Sequence, residues 1–235
     1  MKPNLLLSFV FILIHVVGYS QDRGYLAVSA GPSFPSGDFG SKDINNEAAG
    51  LATTGAIFDL TYAQKFGETY GMTFLLRGQA NPTDPQPLVN ELSAQFPTLF
   101  WTAESTNWGI GGLLGGLYGT LPVDKKGVVT FDTRAMIGYI NATSAEFTVS
   151  AYSGSSFAWI ETQSASAGAF AYLLGAGFKF AIGHRLGIFL NADYLSANPE
   201  FTNVPTITST GGYSEDSYSQ SFKTVNIGVG LGYRW

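Results

Sequence analysis

The carboxy-terminal stretch Lys223–Trp235, KTVNIGVGLGYRW, alternates between two kinds of side chain. Every second residue from Val225 to Tyr233 is apolar, and the residues between them are Asn226 and three glycines. A period of two over this length predicts a β-strand with one apolar face and one small or polar face. Because so few residues on the second face are charged, this strand is unlike the usual exposed strand of a soluble protein.

Seven segments upstream repeat the alternation. They begin near Tyr25, Ala56, Tyr70, Asn107, Val129, Phe170 and Leu186. The segment from Asn107 to Thr120 is the least regular, because Leu113 and Leu117 fall on the face that we expect to point inward. Short and long connections alternate along the chain, which is typical of a transmembrane β-barrel. The sequence therefore predicts an all-β fold: an eight-stranded antiparallel up-and-down transmembrane barrel with short periplasmic turns and long extracellular loops.

A period of two does not reveal which face is in contact with water. In a soluble lipocalin-like barrel, the apolar face would line an internal ligand site. Two features favour the membrane barrel instead. The polar face is rich in glycine, and only 12% of all residues are charged, against about 25% in ordinary soluble domains. We therefore expect the apolar face to point outward.

Closure of the sheet follows from backbone chemistry, since every N–H and C=O group in hydrocarbon must be paired. Aromatic residues near the predicted strand ends are typical of an interfacial girdle. These residues are Tyr62, Tyr70, Tyr118, Tyr139, Tyr194, Tyr233 and Trp235.

Residues 1–20 have the layout of a secretory signal peptide. Lys2 precedes the apolar run Leu5–Val17, and small residues lead to a predicted cut after Ser20. The run is too short for a stable membrane anchor. The chain is therefore divided into a signal peptide and a barrel domain over residues 21–235.

The chain ends in an aromatic residue preceded by alternating apolar ones. These residues are Val229, Leu231, Tyr233 and Trp235. This ending, together with the hairpin Gly175–Tyr194, resembles the small outer-membrane β-barrel family of Gram-negative bacteria, which includes OmpX and the transmembrane domain of outer-membrane protein A. In that family the ending is the signal read by the barrel-assembly machinery, although Phe is the commoner last residue. The resemblance covers the whole mature chain and implies insertion among outer-membrane lipids.

Charged residues on the predicted inner face are arranged so that they can pair. If Phe66 pairs with Tyr70 around the intervening turn, Asp59 lies directly opposite Arg77. A second network is expected among Asp132, Arg134, Lys179 and Asp193. An unpaired charge in a narrow barrel is costly, so we interpret these six residues as structural. An eight-stranded barrel is filled by its own side chains, which disfavours an open porin; an ion or proton path is the functional alternative.

We predict no catalytic, metal or cofactor site. The sequence contains no Cys and 2 His, and only His184 lies beyond the signal peptide. His184 is expected in a short turn at the inner rim, whereas barrel enzymes of this envelope use a His near the outer rim. Cys–His nucleophiles and typical zinc sites are thereby excluded. The net charge of −5 argues against a nucleic-acid partner.

The long loops are acidic and contain two hairpin signals. They hold 11 of the 17 acidic residues and a single base, Lys42. Glu146–Tyr152 and Phe157–Thr162 flank a turn-forming stretch, and Gly211-Gly212 marks a second hairpin. Protruding hairpins offer unpaired edges to which an extracellular protein partner can add.

A further loop combines a predicted short helix, Pro87–Phe96, with an apolar segment. Phe96, Phe100 and Trp101 are expected at the barrel mouth, where they either pack or meet a hydrophobic ligand.

The predicted function is that of a non-catalytic outer-membrane barrel with a plugged lumen and a structural or surface-interaction role. The alternatives are a carrier of small hydrophobic molecules at the mouth and a soluble secreted lipocalin-like binding protein.

Overall fold

The computed structural model describes residues 24–235, so the predicted signal peptide lies outside the described residues. Two sheets account for the strands: a closed barrel of eight and an open sheet of five. A 3-10 helix, Gly37–Gly40, and one α-helix, α1 (Gln86–Gln95), lie in the loops. Within residues 24–235, no helix has the length and hydropathy needed to cross a membrane.

Every barrel strand pairs antiparallel with the barrel strands that precede and follow it along the chain. The barrel strands are β1 (Gly24–Pro35), β2 (Gly55–Lys65), β3 (Tyr70–Asn81), β5 (Trp108–Pro122), β6 (Val129–Thr143), β9 (Ser166–Ile182), β10 (Leu186–Ala197) and β13 (Phe222–Arg234). The first and last strands close the barrel, with Tyr25 opposite Arg234 and Pro35 opposite Thr224. The predicted eight-stranded up-and-down barrel is confirmed.

The apolar face of each barrel strand points away from the lumen. Exposed apolar side chains occur on all eight strands, for example Val28, Phe58, Leu76, Leu117, Ile137, Phe170, Leu190 and Leu231. The opposite face carries the buried polar residues and many of the glycines. The lipocalin-like alternative is therefore wrong, since it required the apolar face to surround an internal ligand site.

Two predicted orientations are wrong. Leu113 and Leu117 point outward, because Leu113 pairs with Leu76 on β3 and directly opposed residues share one face of a sheet. Tyr118, which we expected in the outer girdle, is buried in the lumen opposite Arg134. Glycines occur on both faces of β5, so the alternation does not show which set of side chains points outward. The pairing of β5 with its neighbouring strands shows it.

The long loops contribute a second sheet, the distal sheet, beyond the loop end of the barrel. Its strands are β4 (Phe100–Ser105), β7 (Phe147–Ser153), β8 (Ser156–Thr162), β11 (Glu200–Thr208) and β12 (Tyr213–Ser219). They are ordered β12-β11-β8-β7-β4, so β12 and β4 form two open edges. Both predicted hairpins and the predicted helix are present. The distal sheet as a unit was not predicted, since β4 has no hairpin partner next to it in the sequence.

Barrel closure predicts a heat-dependent mobility on a denaturing gel. The unboiled chain should migrate differently from the boiled chain, because a closed sheet offers detergent no free edge. Val229→Pro in β13 removes a ladder hydrogen bond and should abolish this shift. Ser217→Pro in the edge strand β12 is the control and should keep it. Loss of the shift in both variants, or in neither, would contradict closure through β13.

Candidate functional site

The middle of the lumen holds four charged side chains in one connected group, the lumen ion cluster. Arg77 on β3 donates to both carboxylate oxygens of Asp59 on β2, at 2.8 and 2.6 Å. Arg134 on β6 makes the same two-pronged contact with Asp193 on β10, at 2.8 and 2.5 Å. Arg77 also reaches across the lumen to Asp193, at 2.9 Å. The cluster is buried and electrically neutral, as a charged group in a narrow lumen must be.

The cross-strand prediction for Asp59 and Arg77 is confirmed, since the two residues are directly opposed in the β2–β3 register. The predicted division into two networks is wrong. Asp193 joins the first pair through Arg77, because β3 and β10 face each other across a lumen narrow enough for one arginine to span. Asp132 and Lys179 form a separate pair at 2.7 Å. The predicted up-and-down topology already places β3 and β10 on opposite sides of the barrel, but which inward residues meet at the same height depends on the strand stagger, which the alternation does not show.

Gly175 on β9 makes room for the lumen ion cluster. A Cβ at this position would collide with Oδ1 of Asp193 and would lie 3.1 Å from Cγ of Arg134. Glycine on the inner face is therefore a packing requirement at this level, because the paired side chains occupy the space that a larger residue would take.

The loop end of the lumen is closed by an aromatic group, the mouth cluster, which consists of Phe39, Trp108, Phe201 and Phe222. The Phe39 ring lies 4.4 Å from that of Phe222, and Trp108 lies 5.4 Å from Phe222 and 6.0 Å from Phe201, measured between centroids. The indole N–H of Trp108 donates to the carbonyl of Gly50 at 2.9 Å. The sequence analysis did not predict this plug. The single aromatic residue in the long polar loop after β1, Phe39, could have indicated a buried position.

The prediction that Phe96, Phe100 and Trp101 lie at the barrel mouth is wrong. Phe100 pairs with Tyr152 next to the β7–β8 turn, at the end of the distal sheet furthest from the barrel. Phe96 contacts Trp101, with 6.1 Å between ring centroids. These three residues therefore lie away from the mouth, because Phe100–Ser105 forms a strand that carries them outward. The mouth cluster occupies the place that the carrier hypothesis assigned to them.

One face of the distal sheet, the distal face, is distinguished by its side chains. It carries a row of aromatics, Phe100, Tyr152 and Phe157, which are directly opposed on β4, β7 and β8. Neighbouring ring centroids lie 6.2 and 4.8 Å apart. The other face at β4 is covered, since Trp101 points there and packs near Phe96, which follows α1. An exposed aromatic row of this kind is uncommon on a protein without a partner.

Nearer the barrel, the distal face becomes acidic. Glu104 on β4 and Glu161 on β8 flank Thr148, and the same row ends at Tyr213 on the edge strand β12. Tyr213 donates to Glu215 at 2.5 Å, and this hydrogen bond raises the pKa of the Tyr213 phenol. Within residues 24–235, the one ion pair in the loops joins Lys42 and Asp84 at 2.6 Å, so the carboxylates of the distal face lack basic partners.

The remaining predicted site residues lie on the outward face of β13 and at the short-turn end of the barrel. Val229, Leu231 and Tyr233 point outward from β13. Trp235 stacks on Tyr62, with 5.8 Å between ring centroids, and His184 lies beside it at the rim of a cavity. No cluster of metal-ligating side chains is found in the part of the chain that the structure describes.

Comparisons with known proteins return structures of outer-membrane barrels. The attachment invasion locus protein Ail of Yersinia pestis is 13% identical with a TM-score of 0.47, over 92% of this chain and 100% of that one. Neisserial surface protein A is 10% identical with a TM-score of 0.45, over 90% and 97%. A major outer membrane protein of Thermus thermophilus is 11% identical with a TM-score of 0.48, over 90% and 99%. No protein-family model and no curated protein sequence matches the chain.

The lumen ion cluster predicts a large penalty for removing its shared carboxylate. Asp193→Ala leaves two buried guanidinium groups with one carboxylate, and should lower the free energy of unfolding by about 3–5 kcal/mol. Replacing the pair together, Arg134→Met with Asp193→Leu, should recover much of that loss. Urea titration followed by tryptophan fluorescence in lipid vesicles measures both. Lys42→Ala at the exposed pair is the control, with an expected loss of at most about 1 kcal/mol.

The packing at Gly175 generates a second stability prediction. Gly175→Ala should cost about 1–3 kcal/mol, because the new methyl group overlaps Asp193 and forces the cluster to shift. Gly78→Ala on β3 is the matched control, since a Cβ there meets nothing within 4 Å. Equal unfolding midpoints for the two variants would contradict a space-making role for Gly175.

Proposed function

We propose that this protein is an integral outer-membrane β-barrel of a Gram-negative cell, and that its role is non-catalytic interaction at the cell surface. Export would be directed by residues 1–20, and insertion by the barrel-assembly machinery acting on the ending that contains Tyr233 and Trp235. The observation that carries the proposal is the distal sheet: a folded, acidic and aromatic surface held clear of a plugged barrel.

Membrane insertion is supported by the outer wall of the barrel. Large side chains such as Phe170, with 85% of its surface exposed, and Ile137, with 75%, cover all sides. A soluble protein rarely exposes a continuous apolar band of this extent. Aromatic residues near the short-turn end, including Tyr62, Tyr70 and Tyr233, stand where amphipathic rings sit at a membrane interface.

A role in open conduction is disfavoured by the filling of the lumen. The mouth cluster closes one end, and the lumen ion cluster lies beneath it. The cavity between Tyr25 and Arg134 has a volume of about 10 Å³, roughly the least that holds one water molecule. A lumen filled in this way supports a role other than open conduction.

The partner that fits the distal face is an extracellular protein segment with basic and apolar side chains. Phe100 and Tyr152 offer apolar area and ring faces that attract cations. Glu104, Glu161 and Glu215 supply the opposite charge for Lys or Arg. The edge strand β12 can add a strand of the partner through its free backbone groups. The apolar side chains of such a segment would cover the aromatic row, and its basic side chains would pair with the carboxylates.

A binding measurement with a synthetic peptide of alternating arginine and leucine tests this proposal. With the protein in nanodiscs of zwitterionic lipid, Phe100→Ser and Phe157→Ser should each weaken peptide binding about tenfold, the effect of removing a central apolar anchor. Ile160→Ser is the matched control, because Ile160 is 52% exposed but points to the other face of the same strand. Equal weakening by Ile160→Ser, or no saturable binding to the unmodified protein, would refute the proposal.

A further inference from the structure

The short-turn end of the barrel opens into a cavity of about 510 Å³, which we call the vestibule. Its inner end is closed by Tyr25 and Tyr118, whose rings meet edge to face with 6.1 Å between centroids. Lys179 lies over the Tyr25 ring, with its Nζ 4.7 Å from the centroid. The vestibule is therefore a pocket with a floor and one opening, separated from the lumen ion cluster by these rings.

The wall of the vestibule is basic. Lys65, Lys179, His184, Arg185 and Arg234 line it, together with one acidic side chain, that of Glu68. Lys179 is paired with an aspartate of the barrel wall. Lys65, Arg185 and Arg234 form no ion pair among residues 24–235.

The contacts of these cations leave donors free. Arg185 donates to the hydroxyl of Tyr233 at 3.0 Å, and Nη2 of Arg234 donates to the carbonyl of Gly183 at 3.4 Å. The Nε of Arg234 is buried and has no partner in the described part of the chain. Neutral carbonyl and hydroxyl acceptors do not compensate a guanidinium charge as a carboxylate or phosphate does.

Buried polar groups around the vestibule are also without partners. The hydroxyls of Thr120 and Tyr118, each on a residue 3% exposed, make no hydrogen bond within residues 24–235. Orphan donors of this kind in one pocket indicate that a ligand or solvent completes the site.

We propose that the vestibule is a binding site for a small polyanion that carries phosphate or carboxylate groups. Lys65, Arg185 and Arg234 supply the opposing charge, and the hydroxyls of Thr120 and Tyr118 supply neutral donors. A guanidinium group offers two parallel N–H bonds to such an oxyanion, which gives geometry as well as charge. The site is independent of the distal face, because it lies at the other end of a plugged barrel.

The experiment uses inorganic pyrophosphate as the probe and the backbone amide resonance of Thr120, which lines the vestibule, as the readout. The refolded protein is held in zwitterionic detergent, and proton–nitrogen correlation spectra are recorded during the titration. The Thr120 amide should shift saturably, whereas the indole N–H of Trp159 in the distal sheet should not move. The double variant Lys65→Gln/Arg234→Gln should weaken binding about tenfold or more.

A matched double variant separates a built site from general attraction between charges. Lys125→Gln/Lys126→Gln removes two charges from the adjacent β5–β6 turn, outside the vestibule lining, and should bind pyrophosphate as the unmodified protein does. Should the first double variant fail to fold, Arg185→Gln alone should still weaken binding. An unmoved Thr120 resonance, or equal weakening by the two double variants, would overturn the proposal.

Discussion

In this protein the pairing of β1 with β13 is the constraint on which the other features depend. A sheet in hydrocarbon must satisfy every backbone N–H and C=O within itself, and antiparallel closure does so without leaving an edge. Once the sheet is closed, period-two alternation separates an outer apolar wall from an inner surface. That inner surface encloses a narrow lumen, so its own side chains fill most of it and balance one another's charge.

The lumen is filled, and its buried charges are balanced, in a different way at each level along the barrel axis. At the loop end, aromatic rings fill the space and the indole of Trp108 finds a backbone acceptor. In the middle, two arginines and two aspartates neutralise one another, and Gly175 leaves the volume that they need. Towards the short turns, Lys179 is paired with Asp132 and rests on tyrosine rings. Each layer pairs or neutralises most of what it buries, and several of the exceptions, including Tyr118, Thr120 and Nε of Arg234, lie beside the vestibule.

The two ends of the barrel differ in charge and in construction. The distal sheet is acidic, aromatic and raised on extended strands, so its open face and edges suit a basic protein segment. The vestibule is basic and recessed, and its orphan donors suit a small oxyanion. The filled middle of the lumen lies between them, so the two proposed sites can be tested independently of each other.

Local patterning by itself determined the barrel strands, the outward direction of most apolar faces, the two loop hairpins and the opposition of Asp59 to Arg77, because each depends on period two or on one short turn. The alternation did not show which side chains of β5 point outward, because glycines occur on both of its faces. Only the tertiary structure decided that Asp193 bridges both arginines, that Phe39 enters the mouth and that β4 carries Phe100 away from it. These outcomes depend on which strands and loops meet across the lumen or beyond its rim, and distance along the chain does not encode such meetings.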